Sequence, residues 1–177
     1  MNYNGNGSYG QYVYGQTPPT VYTTMISHQT DIFTYPQNLQ HALDLIQQAL
    51  SGETEDRMFY TWLLEQAPSK EDQEIITGIR NDEIGHFALF NQLYYEITGM
   101  SPQQITGEPF TPPENYCAGL ARALLGEQNA VRKYRQILYA MQFRVHINIM
   151  TEIITDEIRH GILYNYLYSK NNCGAFQ

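Results

Sequence analysis

Cysteine is scarce in this chain: Cys117 and Cys173 are the only two in 177 residues. They form no C-x-x-C pair, which excludes a thiolate zinc or iron site of the usual spacing. Two cysteines are too few for a disulfide framework, so isolated thiols in a reducing compartment, the cytoplasm, are expected. Basic residues are also few, with 10 Lys and Arg against 18 Asp and Glu, and they do not cluster. That excludes a nucleic-acid binder built on a basic face. No apolar run approaches the roughly 18 residues of a membrane span. The N-terminus lacks the basic and then apolar segments of a signal peptide. Finally, residues 1–30 contain no Asp, Glu, Lys or Arg. They are rich in Tyr, Gly, Asn, Gln and Thr, a composition that builds no core of its own. The expectation is a tail, over 1–34, that packs on this domain or a neighbouring subunit through Tyr3, Tyr9, Tyr12, Tyr14 and Tyr22.

What is present is a repeat. Asp-Glu-Ile-Gly-His at 82–86 returns as Asp-Glu-Ile-Arg-His at 156–160. In each copy a Glu and a His stand three residues apart, about 60° round a helix and one turn up, so both point one way. A carboxylate and an imidazole on one face can share a metal ion. An offset of 74 residues aligns 49–94 with 123–168 without a gap and gives seventeen identities. Among them are Gly52/Gly126, Tyr60/Tyr134 and Ile79/Ile153, and also a third acid per half, Glu53/Glu127. A half-unit of this length reads as a helical hairpin rather than a solenoid repeat.

The chain therefore reads as an all-α protein of two helical hairpins over 35–171, followed by a short tail at 172–177. Helices are expected over 35–66, 70–98, 112–140 and 143–170. Thr34-Tyr-Pro-Gln37 and Thr111-Pro-Pro-Glu114 look like starts of the first and third helices. Ser69 is placed to cap the second, with Asp72 at its third position. Glu53 and Glu83 are each fifteen residues from Pro68, and Glu127 and Glu157 are each fifteen from Gln142. If those are the hairpin tips, all four acids lie at mid-height. The loop at 100–111 is long enough to cross the bundle, at about 3.5 Å per residue, which makes the second and third helices parallel.

Four buried carboxylates are prohibitively costly unless neutralised. Two divalent cations cancel the charge, and Glu with His suits iron or manganese. Six protein ligands on two metals about 3.5–4 Å apart leave positions open for oxygen or peroxide.

This combination resembles the ferritin-like carboxylate-bridged dimetal proteins, whose four-helix bundle ligand set is two lone Glu plus two Glu-x-x-His motifs. Within them it is most similar to the rubrerythrins, over roughly 36–170. The resemblance implies that Glu53 and Glu127 are the lone ligands and that Glu83, His86, Glu157 and His160 come from the motifs. It implies that Asp82 and Asp156 hydrogen-bond a ligand His. Tyr60 and Tyr134 match tyrosines found near such sites. Two features depart from the family. Rubrerythrins usually carry a four-Cys rubredoxin domain, absent from this sequence, so electrons are expected from an external donor protein. They also place a second Glu three residues after the third-helix Glu, where this chain has Ala130; Asp56 holds the symmetry-related position. His28, His41 and His146 have no place in the pattern.

The function implied is a dimetal oxidoreductase, iron or manganese, that reduces hydrogen peroxide or dioxygen. Two alternatives stand beside it: a ferroxidase or iron-binding protein, and a non-enzymatic assembly or coat protein with a structural metal site. A homo-dimer or higher homo-oligomer is expected, with neither nucleic acid nor membrane as partner.

Overall fold

Apolar side chains at alternating three- and four-residue steps build the bundle. The structure, a computed structural model, describes residues 31–103 and 110–174, apart from the side chains of Glu53 and Thr54. Among these residues all regular structure is helical. The helices are α1 Leu39–Ser51, α2 Glu53–Gln66, α3 Lys70–Thr98, α4 Tyr116–Leu138 and α5 Arg144–Lys170. Gly52 keeps helical angles, φ −81° and ψ −11°, and its carbonyl accepts from the Asp56 amide. The helices α1 and α2 therefore act as one rod, and the fold is a ferritin-like helical bundle.

The burial pattern follows the sequence periodicity. On α3 the buried residues are Asp72, Ile76, Ile79, His86, Phe90 and Leu93; on α5 they include Met150, Ile153, Glu157, His160, Tyr164 and Leu167. These steps of three and four keep one stripe facing inward. Contacts along the rods give their directions. Asp72 meets Lys170, His86 meets Asp156, and Glu96 meets His146, so α3 and α5 are antiparallel. His41 meets Gln136 and Glu55 meets Arg122, so the α1–α2 rod is antiparallel to α4. It follows that α3 and α4 run parallel, joined by the long connection.

Helix ends differ from the sequence expectation in two places. The first helix begins at Leu39, because 34–38 form a bend and turn; Asn38 closes it by donating from its side chain to the Ile32 carbonyl (2.9 Å). The third begins at Tyr116, where the Asn115 side chain accepts from the Ala118 amide (2.9 Å), and the Pro-Pro segment stays outside. Asn satisfies an orphan amide as a Thr box would. On α3 the Ser69 hydroxyl accepts from the Asp72 amide (3.2 Å), and Gly99 ends the helix at φ 71°, the left-handed cap that glycine adopts without strain.

The core falls into two apolar halves. One packs Ala42, Ile46, Phe90, Leu93, Met150 and Ile153; the other packs Leu63, Ile76, Ile79, Leu120, Tyr164 and Leu167. At the far end of the second half lies Asp72, fully buried. It accepts from Lys170, Tyr116, Asn171 and Ser69. That hub ties the start of α3 to the start of α4 and the end of α5. Beside it Cys117 and Cys173 form a disulfide, with Cα atoms 5.3 Å apart. The reading of two isolated thiols is therefore corrected. Their separation of 56 residues hid that antiparallel α4 and α5 bring both to one end. No helix among the described residues is long and apolar enough to cross a membrane. The tail contacts expected of residues 1–30 lie outside the described residues.

Candidate metal centre

Between the two apolar halves the inward stripes change character. On α3 the steps from Ile79 to Phe90 pass through Glu83 and His86. On α5 the steps from Ile153 to Tyr164 pass through Glu157 and His160. On α4 Glu127 follows Ala123 by four. His86, Glu127, Glu157 and His160 are buried, and the Glu83 side chain is 25 % exposed. Ligand atoms of Glu83, Glu127, Glu157 and His160 all lie within 4.8 Å of one another. His86 Nδ1 joins them, 3.1 Å from Glu157 and 3.5 Å from Glu83. His160 Nδ1 lies 3.0 Å from Glu83 and 4.0 Å from Glu127. Glu53 opens α2, but its side chain lies outside the described residues.

The donors fit a cation. Both His Nδ1 atoms, Glu83 Oε1 and Glu157 Oε1 are buried without a partner of hydrogen-bond geometry, although they are near neighbours. Buried polar atoms are normally hydrogen-bonded. Here the lone pairs converge on shared space instead of on one another, as ligands to a common ion do.

The far side of each ring is fixed. His86 Nε2 donates to Asp156 Oδ2, and His160 Nε2 donates to Asp82 Oδ2, both at 3.2 Å. The pairing is crosswise: each acid serves the imidazole of the other motif. With Nε2 donating outward, each ring turns its Nδ1 to the centre.

Burial and the neighbouring charges move these groups in opposite directions. Burial raises Glu127 well above the carboxylate range, and the close Glu157 carboxylate and the charges of Glu83 and Asp56 add to this. For His86 burial works against the imidazolium, but the close carboxylates of Glu157 and Glu83 outweigh it, and its pKa rises to about 10. His160 is raised against the same opposition, chiefly by Glu83. Glu83 is lowered in turn: burial opposes ionisation, and the nearness of His160 and His86 prevails.

Two cavities, about 290 and 300 Å³, reach this layer, and Asp56, Tyr60, Glu83 and Tyr134 line both. Ala130 lines the second. Asp56 is exposed at the cavity walls, and its carboxyl is pushed up to about 6, first by desolvation and then by Glu83 and Glu55. Burial and the nearby acids keep the hydroxyls of Tyr60 and Tyr134 un-ionised.

The motif match extends to whole-chain similarity. A profile of the Rubrerythrin family matches residues 44–168, most of the chain. The chain belongs to the rubrerythrin family. It is also 33 % identical over 123 residues to "Uncharacterized protein YhjR" of Bacillus subtilis (strain 168). That match covers 68 % of this chain and 82 % of the relative. Against this rubrerythrin background two residues went unread in the sequence. Tyr164 is fully buried four residues after His160, on the same face, and burial and the Glu127 charge raise its hydroxyl pKa well above 10.0. The step of four was the available signal. Arg159, inside the second motif, left only the break in the repeat at Gly85/Arg159 as a signal, because its partner Asp82 lies on another helix.

Proposed function

We propose that the chain binds two metal ions, iron or manganese, and reduces hydrogen peroxide or dioxygen with electrons from a separate donor protein. Glu53, Glu83, His86, Glu127, Glu157 and His160 would hold the ions. The observation that supports this reading is the convergence of carboxylate oxygens and imidazole Nδ1 atoms in a buried layer without mutual hydrogen bonds. The metal pair would supply Lewis acidity and electrons to the oxidant. The chain's own residues do the rest. Asp82 and Asp156 orient the two imidazoles. Tyr60 and Tyr134 offer un-ionised hydroxyls along the walls of the cavities by which a small oxidant enters. Asp56, poised at about 6, can exchange protons with solvent there. A homo-oligomer is favoured by the exposed stripe Ile158, Ile162 and Tyr166 on α5, at steps of four.

The test is anaerobic loading with Fe(II), followed by stopped-flow mixing with peroxide or dioxygen. The reading expects faster oxidation by peroxide and a single turnover unless a reductant is supplied. Faster oxidation by dioxygen, with iron accumulating beyond two per chain, would replace it with the ferroxidase reading. Metal bound equally well by Glu127→Ala would remove the site itself.

A further inference from the structure

The two Asp–His pairs are not independent. Arg159 Nη2 lies 2.7 Å from Asp82 Oδ2 and 2.8 Å from Asp156 Oδ1, and its Nε donates to Asp156 Oδ1 at 3.2 Å. Asp82 Oδ2 is the oxygen that accepts from His160, so one atom receives the imidazole and the guanidinium together. Asp156 divides the task, Oδ1 for Arg159 and Oδ2 for His86. We propose that Arg159 is the positioning residue of this centre: a single guanidinium fastens both aspartates, and through them both imidazoles, across the α3–α5 interface. The inference rests on the same centre as the function proposed above.

Three observations carry it. Asp82 and Asp156 both sit on the outer side of the imidazole pair and bear like charges. Without a cation between them they repel, and each is free to turn to solvent. Arg supplies a planar fork that can hold two acceptors at once, whereas the ammonium of Lys would act as a point charge. Finally, the repeat is broken at this one position of the motif: Arg159 stands three residues after Asp156, and Gly85 three after Asp82. One bridging cation satisfies both acids, and a second at 85 would have none left to pair. A Cβ built at Gly85 meets nothing within 4 Å. The side chain of Arg159 is 52 % exposed, so its packing contributes little to the core.

The swap across the repeat makes the test. Arg159→Ala, Arg159→Lys and the double variant Gly85→Arg/Arg159→Ala are compared with the parent chain. Two readouts are taken: solvent exchange of the His86 and His160 Nε2 protons, by NMR of ¹⁵N-histidine-labelled metal-free protein, and Mn(II) affinity by titration. Arg159→Ala should speed exchange at both rings about tenfold or more and weaken metal binding about 10–100-fold. Arg159→Lys should restore neither fully. The double variant should recover both, because an Arg at 85 reaches the same two acids from α3. Unchanged exchange at both rings overturns the proposal. A change confined to His86 also overturns it, since Arg159 would then be only the local i, i+3 partner of Asp156. The ring-proton result needs no metal: a parent chain that binds no Mn(II) but shows the exchange pattern keeps the clamp and loses the dimetal reading.

Discussion

A single carboxylate shows how much one buried charge demands. Asp72 has no solvent exposure and four donors, with Lys170 the charged one. Burial alone would raise its pKa, but the bonds from Lys170, Ser69, Asn171 and Tyr116 prevail and bring it down to about 2. A depressed acid stabilises the fold above its unfolded value and loses that contribution as pH falls through the folded one. The contribution is thus complete above 3.8 and is lost toward about 2, a shift worth about 2 kcal/mol. Asp72→Asn should cost about 2–3 kcal/mol at neutral pH, because Lys170 loses its buried counter-ion and keeps only Glu71 at the surface. The gap between parent and variant should close as pH falls below 3.8. Urea unfolding of the metal-free protein at a series of pH values checks this; a gap that persists at pH 2 would assign the cost to packing.

At the scale of helices, glycine positions separate neutral space from contact. Gly78 is exposed on α3, and an added Cβ meets nothing within 4 Å. Gly78→Ala should stabilise by about 0.5–1 kcal/mol, seen as a melting temperature higher by about 1–4 °C. Gly119 is the reverse case: a Cβ there would fall 2.6 Å from the Trp62 ring and 2.9 Å from a Leu63 methyl. Gly119→Ala should cost about 1–3 kcal/mol by forcing α2 and α4 apart, read in the same thermal scan. The helices themselves were legible in the sequence, because steps such as Ile79, Glu83, His86, Phe90 and Leu93 are a property of the sequence alone. The repeat likewise pointed to Glu83, His86, Glu127, Glu157 and His160, four of which the fold gathers within 4.8 Å. What was not legible depends on which helix faces which. The crosswise pairing of Asp82 with His160, the reach of Arg159 to Asp82, and the Cys117–Cys173 bond all join residues 56 or more apart. Two helix starts differ for local reasons: Asn115 caps the third helix in place of the nearby Thr and Pro, and Asn38 holds the turn before the first by donating to the Ile32 carbonyl.

For the whole molecule, stability should come from two unrelated ties at two heights of the bundle. The disulfide closes 117–173, a segment that contains Glu127, Glu157, Arg159 and His160. A separation of 56 residues limits the unfolded chain by about 4 kcal/mol in the chain-entropy account. Cys117→Ser/Cys173→Ser should therefore lose about 2–4 kcal/mol. The metal acts by mass action, because a cation that binds the folded centre and not the open chain raises stability by about 2.7 kcal/mol at a hundred times its dissociation constant. The tie at the Asp72 end and the polar layer share no residue, so the two contributions should add within about 0.5 kcal/mol. The measurement is a four-way set of melting curves: parent and double-serine chain, each with chelator and with saturating Mn(II). The rise on adding metal should be the same in both chains. A rise that disappears without the disulfide would mean that the end of the bundle must be closed before the centre can form.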